Sequence, residues 1–190
     1  MGVVFLGSFL VTERLPNRKE RKIAFLGRSN VGKSSLINLL TGAQIARISK
    51  APGRTQAVNL YEVDQKWIFG DFPGYGFARV SRKERKQFEL LIEKFLTAEY
   101  FEHAIQIVDA RHPGMEMDLQ LHKWLSLRKL PHHIVLNKVD KLNQRQKVEA
   151  ERQARKTFAG QPLLFASTFT KEGKRELEKI LQELTADEHR

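Results

Sequence analysis

The sequence contains no cysteine, which removes disulfides, thiolate metal sites and thiol nucleophiles from the chemistry open to it. It also lacks any apolar run approaching the ~20 residues of a membrane span. Residues Met1 to Leu10 are mostly apolar, but no basic region precedes them and Gly7 and Ser8 interrupt the run, so they read as an edge strand rather than an export signal. Leu6 stands where an N-myristoylation site needs Ser or Thr. There is no internal repeat, low-complexity linker or heptad stretch, and the expectation is a cytoplasmic monomer without a membrane anchor. The six histidines show no metal-ligand spacing such as H-E-x-x-H, and His132 and His133 read as structural. Trp67, Trp124 and most phenylalanines fit core or strand positions better than a stacking platform. Acidic residues are also scarce, 22 against 33 basic, leaving a net charge of +11. Such a field favours polyanions: nucleic acid, ribosomes or acidic membrane surfaces.

A chain of 190 residues, 41% hydrophobic and 29% charged, fits one globular domain of the usual ~100–200 residues. The expected organisation is an edge strand and basic lead-in over 1–21, followed by a core over 22–190. Apolar strands alternate with amphipathic stretches, the pattern of an α/β fold with parallel strands and helical crossovers. Strands are expected at Lys22–Leu26, Val58–Val63, Trp67–Phe69, Ile105–Val108, Ile134–Leu136 and Leu163–Phe165. Asp64, Gln65 and Lys66 join the second and third of these as a hairpin. Helices are expected at Val31–Leu40, Ser81–Glu99, Met117–Leu127, Gln144–Phe158 and Lys174–Leu184, and a mobile loop at Ala43–Gln56. Arg82, Lys83, Arg85 and Lys86 crowd the start of the second helix and oppose its dipole. They read as a solvated face or as a contact for an anionic partner.

The chemistry lies in the loops after strands, where α/β sheets bind ligands. Gly27, Arg28, Ser29, Asn30, Val31, Gly32, Lys33 and Ser34 match G-x-x-x-x-G-K-[ST] between a strand and a helix. The backbone N–H groups of such a turn wrap phosphate oxygens, Lys33 reaches the β- and γ-phosphates, and Ser34 offers its hydroxyl to Mg²⁺. Asp71, Phe72, Pro73 and Gly74 form a D-x-x-G loop, where Asp71 holds Mg²⁺ through water and the Gly74 N–H meets the γ-phosphate. Asn137, Lys138, Val139 and Asp140 form N-K-x-D. The Asp140 carboxylate can accept from the N1–H and 2-amino group of guanine, a pair that adenine lacks. Asn137 would tie this loop to the first, and the Lys138 stem would cover the base plane. A backbone N–H at Phe165, Ala166 or Ser167 could meet the guanine O6; the alternative there is a plain strand end. Thr55, within Gly53, Arg54, Thr55 and Gln56, is the candidate for a threonine that joins Mg²⁺ only with the γ-phosphate present. Tyr75 occupies the position where Ras-type enzymes carry a water-orienting Gln, which predicts slow unaided hydrolysis. A K⁺ ion held partly by Asn30 is a further candidate cofactor.

The set GRSNVGKSSLIN (27–38), PGRTQ (52–56), DFPGYG (71–76), DARHPGMEMD (109–118) and NKVDKL (137–142) resembles the EngB family (YihA/YsxC) of bacterial GTP-binding proteins over nearly the whole chain. The resemblance implies a Ras-like three-layer α/β/α fold with a six-stranded, mostly parallel sheet and one antiparallel strand. It implies GTP/GDP and Mg²⁺ as cofactors, and the large ribosomal subunit or its rRNA as partner without DNA specificity. It also implies a role in ribosome assembly and normal septation during cell division. It assigns Mg²⁺ ligands to Ser34 and Thr55, phosphate contacts to 27–34, Gly53–Ala57 and Asp71–Gly74, and base contacts to Asn137–Asp140 and Phe165–Ser167. Catalytic roles fall to Lys33, Thr55 and Gly74. The chain departs from the family pattern at Asn137, where Thr is usual, at Ala166, where Ser is frequent, and at Gly173, one residue late. The competing readings are an ATP-dependent P-loop enzyme, a basic RNA-binding module with structural GTP, and a GTPase acting on a septation or membrane partner.

Overall fold

The structure, a computed structural model, describes residues 2–46, 57–75 and 82–186. Its seven strands are β1 (Val3–Phe9), β2 (Arg21–Gly27), β3 (Val58–Val63), β4 (Trp67–Asp71), β5 (His103–Asp109), β6 (His132–Asn137) and β7 (Leu163–Ala166). Five helices accompany them: α1 (Lys33–Thr41), α2 (Arg82–Thr97), α3 (Glu116–Leu127), α4 (Gln144–Thr157) and α5 (Lys174–Ala186). The strands form one sheet in the order β1-β3-β4-β2-β5-β6-β7. β3 pairs antiparallel with both β1 and β4, and every other pairing is parallel, so β3 alone runs against the other six. The six strands implied by the resemblance are β2 to β7. The N-terminal edge strand adds the seventh.

Burial follows from the sequence pattern. β5 is buried along its whole length because Ala104, Ile105, Ile107 and Val108 leave no polar face, as suits a central parallel strand. β1 alternates only weakly and exposes Val4 and Phe5, as an outer strand can. Alternate residues of the inner strands feed opposite faces. Ile23, Phe25, Ile105, Ile107 and Val135 pack with Leu36, Leu40, Leu177 and Leu181 of α1 and α5. Ala24, Leu26 and Ala104 pack with Phe95 of α2 and Leu125 of α3, while Ile134 and Leu136 pack with Ala154 of α4. Among the described residues, no helix is long and apolar enough to cross a membrane.

Turn chemistry sets the connections. Asp64 and Gln65 both take φ of 53°, and Lys66 N donates to Val63 O at 3.0 Å. This mirror-image turn matches the twist of the β3–β4 hairpin. α1 begins at Lys33 rather than Val31, because Gly32 holds φ of 97° and ends the preceding turn. Val31 is nonetheless buried, so its apolar character belongs to the turn and not to a helix face. The loop after α1 is tied at its start: Asn38 Nδ2 donates to Ala46 O, and Asn38 Oδ1 accepts from the N–H groups of Ile45 and Ala46. α4 opens with a reciprocal cap between Asn143 and Gln146.

Imidazoles occupy the amino ends of β5 and β6. His103 Nε2 shares a hydrogen bond with His133 Nδ1 at 2.8 Å, and His122 Nδ1 shares one with His132 Nε2 at 3.0 Å. Burial favours the neutral forms, aided by neighbouring rings at His103, His122 and His133. His103 is pushed down to about 4, and His122, His132 and His133 are lowered as well. Among the described residues, no three His, Asp or Glu side chains converge as a metal site would require.

Candidate functional site

Five parallel strands end together, β2 at Gly27, β4 at Asp71, β5 at Asp109, β6 at Asn137 and β7 at Ala166. The predicted residues of 27–34, 71–74, 137–140 and 165–167 therefore converge at the carboxyl edge of one sheet although their loops are far apart in sequence. The turn from Gly27 to Ser34 curls because Asn30 (φ 62°) and Gly32 (φ 97°) adopt left-handed conformations. Such curls aim successive N–H groups into one concavity. Gly32 is required for a second reason. A Cβ there would collide with Asn137 Nδ2, which donates to Val31 O at 2.7 Å from full burial. That bond links the N-K-x-D loop to the first turn.

Lys33 and Ser34, in the first turn of α1, both meet Asp71. Ser34 Oγ donates to Asp71 Oδ2 at 2.9 Å, and Lys33 Nζ lies 3.2 Å from Asp71 Oδ1. Asp71 Oδ1 makes no hydrogen bond of ordinary geometry despite that proximity; the ion pair at 3.2 Å is the interaction it has. Phe72 turns into the core against Phe95 and Phe101, so it contributes only backbone to the loop. Gly74 lies directly on the first turn, where a Cβ would come 2.8 Å from Ser29 Cα. Tyr75 continues the contact: Ser29 N donates to Tyr75 O at 2.8 Å, and Tyr75 N to Gly27 O at 3.4 Å.

At the other end of the site, Lys138 takes φ of 69° and its ammonium donates to Asn30 O and, at 2.9 Å, to Asp109 Oδ2. Arg111 grips the same carboxylate through Nε at 2.9 Å and an Nη atom at 2.7 Å. Burial alone would raise the Asp109 pKa, but the hydrogen bonds from Arg111 and Lys138 outweigh it and hold the carboxyl far below its usual range. Asp140 Oδ1 accepts from Ser167 Oγ at 2.7 Å, and Asp140 Oδ2 lies 3.2 Å from Lys141 Nζ. Burial opposes ionisation of Asp140, yet Ser167 and Lys141 lower its pKa. Ser167 also accepts from the N–H groups of Phe169 and Thr170. Gly173 takes φ of 78°, and a Cβ there would collide with Phe165 O, so the late glycine closes this loop. The Phe165 side chain packs with the hydrophobic cluster beneath α4, and Ala166 is buried.

Gly53, Arg54, Thr55 and Gln56 lie outside the described residues, as do Gly76 and the side chains of Arg82, Lys83 and Arg85. Ala57, immediately before β3, is half-buried. Asp109, Arg111 and Asp118 lie within the stretch 109–118, whose sequence alone assigns them no role. The legible signal at Asp109 was a carboxylate closing an apolar strand, with Arg two residues on. Asp118 is fully buried on α3. Its carboxylate accepts from Arg28 Nε at 3.1 Å and from the Tyr75 hydroxyl at 3.0 Å, and its carbonyl accepts from Gln106 Nε2 at 2.7 Å. Burial and the Asp118 charge push the Tyr75 phenol well above its ordinary pKa. Burial also raises Asp118 itself, against the opposing pull of Arg28 and Tyr75.

The comparisons with known proteins point to one family and one fold. A family model described as 50S ribosome-binding GTPase matches residues 22–138. A probable GTP-binding protein EngB from Petrotoga mobilis is 36% identical over 179 residues, covering 92% of this chain and 91% of that protein. Its namesake from Solibacter usitatus is 44% identical over 157 residues, covering 82% of each. Two solved structures share the fold. A probable GTP-binding protein engB gives a TM-score of 0.74 at 24% identity, over 87% of this chain and 99% of that one. Era in complex with MgGDPNP and a segment of 16S ribosomal RNA gives 0.69 at 22% identity, over 87% and 57%. With a P-loop, D-x-x-G and N-K-x-D joined at one sheet edge and relatives of this likeness along almost its full length, the chain belongs to the EngB family of P-loop GTP-binding proteins.

Proposed function

We propose that this protein is a slow, Mg²⁺-dependent GTPase that works as a GTP/GDP switch in assembly of the large ribosomal subunit. The observation that carries the reading is the convergence of Lys33, Ser34 and Asp71 with Asn137, Lys138 and Asp140 at one sheet edge. The donor set suits Mg²⁺ and a guanine nucleotide. A hydroxyl and a carboxylate stand together at Ser34 and Asp71, and two left-handed residues curl the turn between β2 and α1. Asp71 Oδ1 and Asn137 Oδ1 are buried without a hydrogen bond among the described residues.

In this reading the N–H groups of residues 27–34 bind the phosphates, with Gly53–Ala57 and Asp71–Gly74 contributing from the other side. Lys33 neutralises the β- and γ-phosphates, and the Gly74 N–H meets the γ-phosphate. Ser34 and Thr55 would ligate Mg²⁺ directly and Asp71 through water. When bound, Mg²⁺ supplies neutralisation of charge on the transferring phosphoryl oxygens. Asp140 reads the guanine edge, held in aim by Ser167, while Lys138 covers the base plane under the grip of Asp109. The backbone of 165–167 supplies the contact to O6.

Slow turnover is supported by Tyr75. Its hydroxyl donates to buried Asp118, so it does not serve as a Gln-like orienter of water. Unaided hydrolysis at or below the ~10⁻⁴ s⁻¹ scale is expected, with stimulation by a partner or by K⁺ held partly by Asn30. Equal turnover in K⁺ and Na⁺ buffers would remove the K⁺ element. The net charge of +11 and the family description support an RNA-rich partner, reached by a monomer in the cytoplasm. The likeness to a family linked with septation extends the reading to cell division.

The test is co-sedimentation with purified large ribosomal subunits in GDP and in a non-hydrolysable GTP analogue, across a salt series. Tighter, salt-resistant pelleting with the analogue is expected. Equal pelleting in both states that vanishes as salt rises would contradict the switch. It would favour a basic RNA-binding module with structural GTP, whose binding is counterion-driven and indifferent to the nucleotide.

A further inference from the structure

Asp118 belongs to none of the three nucleotide motifs, yet it joins two of them. Its carboxylate is inaccessible to solvent, and its two oxygens divide between Arg28 of the P-loop and Tyr75, the residue after Gly74. A buried ion pair is weak evidence for stability, because desolvation cancels most of its attraction. Its position therefore matters more than its strength. Both partners lie on segments in backbone contact: Arg28 bridges Tyr75 in parallel register, and the Ser29 N–H donates to Tyr75 O. Gly74 sits between Pro73 and this anchored tyrosine, pressed on Ser29 so closely that no side chain fits. Gln106 on β5 fixes the helix carrying the carboxylate by donating to the Asp118 carbonyl. The chain of contacts runs from the central strand through α3 to the peptide around Gly74.

We propose that Asp118 is a positioning residue that, through Tyr75 and Arg28, holds Gly74 on the P-loop and so raises the affinity for GTP relative to GDP. The proposal rests on the reading that the Gly74 N–H meets the γ-phosphate. A donor held in place before ligand arrives loses little entropy on binding. GDP has no γ-phosphate and does not draw on that donor, so the anchor acts on the triphosphate alone. A merely structural role for Asp118 would change both affinities together.

The experiment compares dissociation constants for GDP and a non-hydrolysable GTP analogue, with Mg²⁺, in Tyr75→Phe, Asp118→Asn, the double variant and Gly74→Ala. Melting temperatures are followed alongside. Tyr75→Phe removes one hydroxyl from the anchor and keeps the ring, so it serves if Asp118→Asn does not fold. The expected result is a loss of about tenfold in analogue affinity for each single anchor variant, the order of one hydrogen bond to a charged group. GDP affinity stays within about twofold, and the double variant is no worse than either single one, as for residues acting as one unit. Gly74→Ala should lower the same ratio. An unchanged ratio in Tyr75→Phe while Gly74→Ala lowers it would overturn the anchor and leave the Gly74 reading standing. An unchanged ratio in Gly74→Ala would overturn that reading and the anchor with it. A ratio that rises in Tyr75→Phe would also overturn the proposal, since Tyr75 would then restrain Gly74 against the triphosphate.

Discussion

At the carboxyl edge of the sheet the buried polar groups include carboxylates with cationic partners: Asp71 with Lys33, Asp118 with Arg28, and Asp109 with Arg111 and Lys138. At the amino ends of β5 and β6 they are imidazoles bonded to one another, His103 to His133 and His122 to His132. Both arrangements satisfy buried hydrogen-bonding groups, but they differ in charge. Neutral rings meet the need for partners without a formal charge in the interior. Ion pairs carry a desolvation cost that packing alone does not demand. Their concentration at one edge marks the part of the molecule arranged for a charged ligand, and the other edge is arranged for packing.

The largest break in this contrast should come from Lys33→Ala. It removes the cation from Asp71 and from the phosphates together, and nucleotide affinity should fall by ~1000-fold, about 4 kcal/mol, in titration calorimetry. Unchanged affinity would mean that the Lys33–Asp71 pair is structural. Asp140→Asn comes next. It should weaken GTP on the order of 100-fold and shift preference toward xanthine nucleotides, measured by competition. A retained preference for GTP over XTP would remove Asp140 as the base reader.

The amino ends are probed by pH. His103 titrates near 6.5 when unfolded and about 4 when folded, so its neutral form is the stabilised one. Its contribution is complete above pH 6.5 and is lost as pH falls toward 4, at up to about 1.4 kcal/mol per unit. His103→Gln should flatten the fall in unfolding free energy over that window, and an unchanged slope would show that His103 does not carry it. Asp109 behaves oppositely. Its folded pKa lies below the ordinary carboxylate value of 3.8, so its stabilisation is present above 3.8 and is lost only in stronger acid. The smallest effect is expected from Arg111→Ala. Arg111 is partly exposed, and Lys138 keeps Asp109 paired, so a stability loss of no more than about 1 kcal/mol is expected. A larger loss in chemical denaturation would show that Arg111 is the main partner.

Much of the carboxyl edge was legible because its motifs are local. A glycine-rich turn between a strand and a helix, and an Asp three residues after an Asn at a strand end, state their chemistry within a few positions. The partners that aim those residues were not legible. Arg28 and Asp118 are 90 positions apart, Tyr75 and Asp118 are 43, and Lys138 and Asp109 are 29; no periodicity links them. His132 and His133 read as structural, but their partners were not legible, since these adjacent residues bond to different rings, 10 and 30 positions away. Val31 misplaced the start of α1 because burial in a turn and burial on a helix face leave the same apolar mark.

The most direct test of the account is hydrogen–deuterium exchange with GDP and with a GTP analogue, each with Mg²⁺, against the ligand-free protein. Both nucleotides should slow exchange in peptides covering 27–34 and 137–140, leave the amino ends of β5 and β6 unchanged, and differ from each other at 71–75. Identical protection by both nucleotides at 71–75, or protection centred on the histidine end, would contradict the assignment of the carboxyl edge as a guanine-nucleotide switch.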